Sequence, residues 1–284
     1  MVPANAEHHT EDAFPQRIVC LTEETTETLY LLEEDWRIVG ISGFTVRPER
    51  ARKEKPVVSA FTKARIQEIV DLKPDLVLGF SDIQADIAAQ LVSAGVEVHI
   101  FNHRSVGGIL KMIRMLGAMV GCGDRAHKMV ANLQRDLQQL QVDSRLGPRP
   151  RVYFEEWNDP LITGIGWVSE LVQVAGGTDI FDELASEKLA KQRIIADPME
   201  VVRRQPDIIL ASWCGKPFRH DDLVTRPNWD SIPAVQTGHV FDIDSSLVLQ
   251  PGPAALTDGV RRIREIIEDW QGHVSRRENT GDST

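Results

Sequence analysis

The stretch "IQEIVDLKPDLVLGFS" at residues 66–81 decides the fold prediction. In its first half, apolar side chains recur at helical spacing, at Ile66, Ile69, Val70 and Leu72. Pro74 then stops the helix, and the run Leu76–Phe80 follows without polar interruption. Because strands of a covered parallel sheet are buried on both faces, such a run is typical of them. The stretch therefore predicts a helix followed by a buried strand of an α/β protein.

The same pattern returns at residues 199–212 as "MEVVRRQPDIILAS". Both copies place a Pro-Asp pair, preceded by Lys or Gln, between an amphipathic helix and an apolar strand. An internal echo of this kind indicates that each half of the chain has the same layout. We therefore predict two similar α/β lobes.

Short apolar runs and amphipathic stretches alternate on both sides of the two echoes. In the first half, "RIVCL" (17–21) and "RIVGI" (37–41) are predicted strands, and the segment between them is a helix with Leu29, Leu31 and Leu32 facing inward. This makes a βαβ unit. The second half begins with the strand "RVYFEEW" and the helix "GWVSELVQVAGG", and it ends with a long helix from "GPAALTDGVRR". Both sheets are predicted to be largely parallel.

Residues 124–143 carry apolar side chains at three- to four-residue spacing over about five turns, which predicts one long, stiff helix between the lobes. The resulting division is a disordered tail (1–16), an N-terminal α/β lobe (17–121), a connecting helix (122–147), a C-terminal α/β lobe (148–270) and a second disordered tail (271–284).

Composition excludes several classes of function. The 284 residues include 32 basic and 42 acidic side chains, and a net charge of −10 argues against a nucleic-acid partner. Cys20, Cys122 and Cys214 are odd in number and widely spaced, so neither a disulfide framework nor a zinc site is indicated. No 18-residue apolar run is present, so a membrane-inserted protein is not expected. The first sixteen residues lack a signal-like apolar core, which predicts a cytoplasmic location, or a periplasmic one if a leader was removed.

Several segments together resemble the class III periplasmic-binding-protein superfamily, which captures cobalamin, siderophores or haem for ABC importers. They include "IVCLTEETTETLYLL", "VVSAFTKARIQEIVDLKPDLVLGF", "NHRSVGGILKMIRMLGAMVG", the stretch 155–181 and "QPGPAALTDGVRRI". The resemblance covers about residues 17–270 and is greatest to the cobalamin-binding branch. It implies two Rossmann-like lobes joined by one long rigid helix, with a ligand cleft between the lobes.

The resemblance also implies that strand-end loops hold a bulky, metal-containing ligand such as cobalamin, with no intrinsic cofactor and no metal site of the protein's own. The chain is expected to be a monomer. An acid on the outward helix of each lobe would meet an ABC permease, and Glu68 and Glu200 lie one position from the corresponding places. The implied ligand-binding residues are Thr22, Glu23, Phe44, Arg47, Phe61, Thr62, Phe80, Ser81, His103, Arg104, Trp157, Pro160, Thr163, Gly164, Gly166, Trp213, Ser245, Ser246 and Gln250.

The chemistry of a macrocycle gives these residues different expected roles. Aromatic planes would cover its apolar face, and Trp157 and Trp213 directly follow strands, although core packing is the alternative for both. Trp167 is predicted to lie in the core, and Trp229 to pack or to form a lid. Gly164 and Gly166 would let the backbone approach a ligand closely. Arg47 and Arg104 could pair with oxygen atoms of the ligand, and His103 could ligate its metal. The alternative for each of the three is an ordinary loop residue without a role in binding.

No catalytic motif is present, so an enzyme is not expected. Three functions remain open from the sequence. The first is binding of cobalamin or another corrinoid, as part of an ABC-type uptake system or as a carrier. The second is binding of a ferric siderophore or haem. The third, of another class, is a regulatory protein that uses the two-lobe scaffold for a partner.

Overall fold

The computed structural model describes residues 13–144 and 147–280. The chain divides into two compact units. The first contains the residues up to His103 together with Gly107–Ala131, and the second contains Arg104–Val106 together with the residues from Asn132 onward. Each unit holds its own sheet and its own apolar core, so the predicted fold class of two α/β lobes is confirmed.

The first unit contains a six-stranded sheet in the order β4-β3-β2-β1-β5-β6. All neighbouring strands are parallel except the short pair β3 and β4. The chain leaves β1 in one direction to form β2 and later pairs β5 on the other side, which makes the carboxyl end of β1 a topological switch point. The strands are β1 (Ile18–Cys20), β2 (Ile38–Ser42), β3 (Val57–Ala60), β4 (Lys63–Ala64), β5 (Leu76–Phe80) and β6 (Val98–Phe101).

The second unit contains a five-stranded sheet in which β7 is central. β7 is parallel to β10 and β9 and antiparallel to β8, and β10 is parallel to β11. The strands are β7 (Arg151–Asn158), β8 (Leu161–Thr163), β9 (Thr178–Asp179), β10 (Ile208–Ala211) and β11 (Val240–Asp242).

Thirteen α-helices lie within the described residues, and the long ones follow the predicted periodicity. A π-helical turn, Ala255–Gly259, leads into the last of them. They are α1 (Glu23–Leu31), α2 (Ala51–Glu54), α3 (Ile66–Asp71), α4 (Ala85–Ser93), α5 (Val106–Met119), α6 (Gly123–Asp143), α7 (Gly166–Val174), α8 (Asp182–Ala185), α9 (Met199–Arg204), α10 (His220–Val224), α11 (Pro233–Thr237), α12 (Ser245–Val248) and α13 (Val260–Thr280).

The two echoed stretches form the same corner in both units. Lys73 and Gln205 each end a helix with a positive φ, 49° and 45°, just before the proline. The aspartate after the proline then accepts a hydrogen bond from the backbone N–H of an arginine, Arg17 just before β1 and Arg151 as the first residue of β7. Asp75 Oδ1 accepts from Arg17 N at 2.9 Å, and Asp207 Oδ2 accepts from Arg151 N at 2.8 Å. The Pro-Asp pair therefore ties each helix-to-strand corner to the first strand of its unit.

Replacing either aspartate should weaken its unit modestly. Asp75→Asn leaves one acceptor oxygen for two backbone donors, because Gln16 N also donates to this carboxylate, at 2.6 Å. We expect a loss of about 1 kcal/mol in the free energy of unfolding, as for a lost helix cap. Urea unfolding measures it. Asp71→Asn, whose carboxylate accepts from the exposed Gln67 amide, is the control. Equal stability of the two variants would contradict this role for Asp75.

Two sequence predictions about helices are wrong. Leu31 was expected to face inward on α1, but it is 54 % exposed, because the buried side of α1 is formed by Leu29 and by polar residues of its first two turns. The tail predicted to be disordered from residue 271 is helical to Thr280. That extension is held by contacts the pattern does not show: Gln271 Nε2 donates to Pro148 O at 2.8 Å, and the His273 ring lies 5.2 Å from His239.

The predicted N-terminal tail falls mostly on residues 1–12, which lie outside the described residues, as do residues 281–284. Of the remainder, Phe14 packs against Gly121, and Pro15 O accepts a hydrogen bond from Arg37 Nη1 at 2.6 Å. Among the described residues, no helix has the length and apolar character needed to cross a membrane.

Candidate functional site

The switch point of the first unit carries buried polar residues where β1 ends and α1 begins. Thr22 and Glu23, both predicted ligand contacts, are 3 % and 1 % exposed. Glu23 Oε2 accepts from Val46 N at 3.1 Å, and Thr22 Oγ1 donates to Glu24 Oε1 at 2.5 Å. Glu23 thus ties the loop after β2 to the first turn of α1, and both side chains have little surface to offer a ligand.

Glu23 and Glu24 are carboxyl groups in an environment that favours their neutral form. Burial raises the pKa of Glu23 to about 8, against the lowering effect of Val46 N–H, and nearby Glu27 and Glu24 add to the rise. Burial also raises the pKa of Glu24 to about 7. One oxygen of each carboxyl group has no hydrogen-bond partner. Glu24 was not among the predicted ligand contacts, although its position in the first turn of the helix that follows a buried strand is visible in the sequence.

Four more of the predicted residues lie in the loops after β2 and β3. Phe44 is 49 % exposed, and Arg47 Nε contacts Glu27 Oε1 at 3.1 Å. Phe61 is partly buried and its carbonyl accepts from Gln84 Nε2, whereas Thr62 is exposed. Phe44 is therefore the most exposed of the predicted aromatic planes in this unit.

The end of β5 meets the end of β6 through ring contacts. Phe80 is 6 % exposed, and its ring centroid lies 5.2 Å from that of His103, which is also 6.3 Å from Phe101. Ser81 is buried with φ 66°, and its Oγ accepts from Ile83 N at 3.3 Å. Phe80 and Ser81 hold the loop, and His103 is the partly exposed member of the ring cluster.

In the second unit, a lysine lies over two tryptophans at the ends of β7 and β10. Lys216 Nζ is 5.5 Å from the Trp157 ring centroid and 5.0 Å from that of Trp213, within the range of a cation–π contact. It also donates to Asn158 Oδ1 at 2.8 Å. Trp157 is partly exposed, and its Nε1 donates to Asp159 O at 2.8 Å. Lys216 and Asn158 are not among the individually predicted ligand contacts, although the segments Trp157–Gly166 and Trp213–Phe218 that contain them were expected to line the ligand site.

Trp213 faces inward from the same edge. It is 3 % exposed, its Nε1 donates to Glu155 Oε1 at 2.9 Å, and its ring packs edge-on against Phe218 at 5.0 Å. Core packing, the alternative weighed for Trp213, is therefore what the structure shows. Trp167, at 2 % exposed, is in the core as predicted, and Trp229 is likewise buried at 1 %.

Glu155 is the centre of a buried network that the sequence did not reveal. Its carboxylate is fully buried and accepts two bonds from Arg226, Nη1 at 2.6 Å and Nη2 at 2.9 Å. Tyr153 Oη donates to the same carboxylate at 3.1 Å. Burial, with the neighbouring Glu155 charge, raises the pKa of Tyr153, so the phenol stays a donor. The network also includes Trp213, because the Trp213 indole N–H donates to the Glu155 carboxylate.

The loop from Pro160 to Gly166 packs against the protein itself, which corrects the prediction of close approach to a ligand. A side chain at Gly166 would collide with the carbonyl oxygens of Arg104 and Ala185, and one at Gly164 would press on Phe154. Thr163 is fully buried, and its carbonyl accepts from the buried guanidinium of Arg193. Pro160 is the exposed member of this loop. Gly166 is needed because backbone meets backbone there, whereas the close neighbours of Gly164 are the Phe154 and Val168 side chains.

Arg104 belongs to the second unit, where its Nε donates to Lys188 O at 3.3 Å. The helix that follows, α5, begins at Val106, whose N–H donates to Glu170 Oε2 at 2.7 Å. Ser245 and Ser246 are the first two residues of α12. Asp244 precedes this helix, and its side chain accepts a hydrogen bond from Ser246 N. Gln250 lies just after the helix. All four predicted residues are partly exposed.

The two predicted docking acids are both in ion pairs. Glu68 lies on α3, is about half exposed, and contacts Arg65 at 2.8 Å. Glu200 lies on α9 and contacts Arg203 and Arg204 at 2.7 and 2.9 Å, and these hydrogen bonds lower its pKa. Among the described residues, no group of three or more His, Cys, Asp or Glu side chains could hold a metal ion.

Comparison with known proteins agrees with this architecture. The model of the periplasmic binding protein family matches residues 18–247. An ABC transporter substrate-binding lipoprotein of Bacillus subtilis is 26% identical over 89% of this chain and 80% of its own length. A vitamin B12-binding protein of Vibrio campbellii is 24% identical over 90% of both chains.

Solved structures share the two-lobe fold. The periplasmic vitamin B12 binding protein of Vibrio cholerae has a TM-score of 0.72 at 22% identity and is matched over 90% of this chain and 98% of its own. The periplasmic haem-binding protein of Roseiflexus has the same TM-score and identity over 88% and 98%.

The predicted cytoplasmic location is wrong. The relatives that match most of the chain include a lipoprotein, and the structures with the same fold are described as periplasmic. The prediction rested on the N-terminal residues alone, which carry no information about the family. With the family model matched along residues 18–247, this chain belongs to the periplasmic binding protein family.

Proposed function

We propose that this chain is a non-catalytic binding protein that captures a cobalamin or another corrinoid for an ABC-type uptake system. The observation that carries the proposal is the similarity to a vitamin B12-binding protein along 90% of both chains. The strand-end loops of the second unit add chemical support, since they carry a partly exposed tryptophan held by a lysine.

Trp157 and Lys216 suit the chemistry of a corrin. Its broad apolar face needs an aromatic surface, and its rim of amide groups needs hydrogen-bond donors. Two contacts hold the Trp157 ring in position. Its Nε1 donates a hydrogen bond to Asp159 O, and its face makes a cation–π contact with the Lys216 ammonium group. The ammonium group of Lys216 has three N–H donors and gives one to Asn158, so it can also donate to an amide oxygen of the ligand.

Replacing Trp157 with alanine should weaken cyanocobalamin binding tenfold or more, because a buried aromatic contact typically contributes more than 1.4 kcal/mol. Visible absorption during titration gives the affinity. Wild-type protein at 100-fold ligand excess over its dissociation constant should also gain about 2.7 kcal/mol in stability, detected as a thermal shift.

Trp36→Ala is the matched control, since Trp36 is 58 % exposed and lies in the first unit after α1. We expect it to bind as the wild type does. Unchanged affinity of Trp157→Ala would remove Trp157 from the site. Loss of stability without ligand would instead assign it to the core.

A haem or ferric siderophore is the second candidate, favoured by one feature of the first unit. His103 is partly exposed beside the Phe80 and Phe101 rings, an aromatic setting that suits a porphyrin whose iron takes an imidazole ligand. Titration with haemin would then give a shifted Soret band that His103→Ala alters. A thermal shift with cobalamin and none with haemin or ferric catecholates would reject this candidate. No shift with any of the three would reject both and favour a regulatory role.

Docking to a permease belongs to the same proposal. To dock, Glu68 and Glu200 would have to break their ion pairs with arginines of this chain and form new ones with arginines of the permease. Both are surface ion pairs, so breaking them costs little free energy. The double variant Glu68→Gln, Glu200→Gln should keep ligand affinity while reducing ligand-dependent stimulation of the transporter's ATPase. Equal stimulation would exclude these two acids as docking residues.

A further inference from the structure

The first unit has a cavity of about 460 Å³ between α1 and the loop that follows β2. One wall is α1, through Glu27, Tyr30 and Leu31, which share a helix face at three- and four-residue spacing. The other wall is the segment 46–50. The lining includes Arg47, one of the predicted ligand contacts, but neither Trp157 nor Lys216, on which the proposed function rests.

The cavity is lined by apolar groups that a soluble protein usually covers. Leu31 is 54 % exposed and Val46 is 41 % exposed, and both line it with the Tyr30 ring and Pro48. Tyr30 Oη donates to Glu54 Oε2 at 2.8 Å, so the ring is fixed in place. Exposed apolar surface within a concave site is a feature of small-molecule binding.

The charged groups around this surface leave one cation with weak contacts. Glu27 is paired with Arg47 at 3.1 Å, and Glu49 with Lys53 at 2.8 Å. Arg50 is more loosely held: its guanidinium stacks over Tyr30 at 4.6 Å from the ring centroid, and its ion pairs to Glu54 and Asp35 span 3.5 and 3.7 Å. Its side chain is 56 % exposed, so its donors can reach a ligand in the cavity.

We propose that this cavity binds an amphipathic organic anion, with an aromatic or short alkyl body and one carboxylate. The body would lie on Leu31, Val46 and the edge of Tyr30. The carboxylate would accept from Arg50, whose planar fork matches the two oxygens of a carboxylate. The site is independent of the corrinoid proposal, because none of its apolar lining belongs to the strand-end loops of the second unit.

Three probes of equal size and different charge test the proposal: phenylbutyrate, phenylbutyramide and phenylbutylammonium. Each is titrated into the full chain, and the backbone amide signals of Leu31 and Val46 are followed by NMR. We expect saturable shifts with phenylbutyrate and affinities for the other two that are lower by roughly tenfold, the factor that corresponds to 1.4 kcal/mol.

Two variants and a control locate the site. Arg50→Gln should reduce phenylbutyrate affinity by roughly tenfold and remove the preference over the amide. Leu31→Glu should abolish binding while the wild-type ion pairs around the cavity stay in place, since Leu31 is an exposed residue at the end of α1. Arg52→Gln, an exposed change on α2 outside the cavity, should bind as the wild type does. Equal affinity for the three probes, or no saturable shift at Leu31 and Val46, would overturn the proposal.

Discussion

Arg226→Met is expected to lower the free energy of unfolding by about 3–5 kcal/mol, the cost of leaving a buried charge without its partner. Glu155 is fully buried, and Arg226 supplies two of its four hydrogen bonds. Trp213 Nε1 and Tyr153 Oη remain as neutral donors, which stabilise a carboxylate less than a guanidinium does. Urea unfolding followed by tryptophan fluorescence measures the loss.

A surface arginine near the same segment is the control. Arg219 is 71% exposed and contacts Asp222 at 3.5 Å, so Arg219→Met should change stability by no more than about 1 kcal/mol. Adding Glu155→Gln to Arg226→Met should recover part of the lost stability, because the double variant no longer buries a charge. If Arg226→Met and Arg219→Met were equally stable, the buried pair would contribute nothing.

The second large effect concerns the pH dependence of stability in the first unit. Glu23 and Glu24 have pKa values raised to about 8 and about 7 in the folded chain, mainly by burial. In the unfolded chain they ionise near the ordinary glutamate pKa of 4.5. Between pH 4.5 and 8 the folded state therefore binds more protons than the unfolded state. The free energy of unfolding should fall as pH rises through this window and level off above pH 8.

Glu23→Gln should flatten the upper part of this curve and stabilise the protein at pH 8.5 by about 2–4 kcal/mol. The amide oxygen can still accept from Val46 N, and no proton is lost. Glu49→Gln, at an 87% exposed side chain, should leave the curve unchanged. Thermal unfolding from pH 5 to pH 9 gives the comparison. Parallel curves for wild-type and Glu23→Gln protein would show that Glu23 ionises normally.

The fold could be predicted because its main signals are local and occur twice. The helix, Pro-Asp pair and apolar strand at 66–81 and 199–212 predicted two corners, and both are present with the same backbone turn at Lys73 and Gln205. The inward face of α1 was misjudged at Leu31, because this helix buries Thr25, Thr26 and Thr28 against its own sheet. Polar residues in a buried helix face cannot be recognised from hydrophobic periodicity.

The candidate site was harder to predict, since position after a strand does not determine side-chain direction. Trp157 and Trp213 both follow strands, yet Trp213 turns inward because Glu155 accepts its indole N–H. That partner depends on Arg226, which lies 71 residues further along the chain. Likewise, the sequence predicts that a ligand approaches the backbone at Gly166. The structure shows that the group next to Gly166 is instead the Arg104 carbonyl.

The paired corners also bear on how the chain folds. The contact between Arg17 and Asp75 closes a loop of 58 residues, and the one between Arg151 and Asp207 closes a loop of 56. Because loop-closure entropy grows only with the logarithm of length, these two closures differ by less than about 0.1 kcal/mol. Chain topology therefore gives neither half an advantage in this step. Any difference in their folding rates should come from local helix and strand propensities and from the side chains of each core.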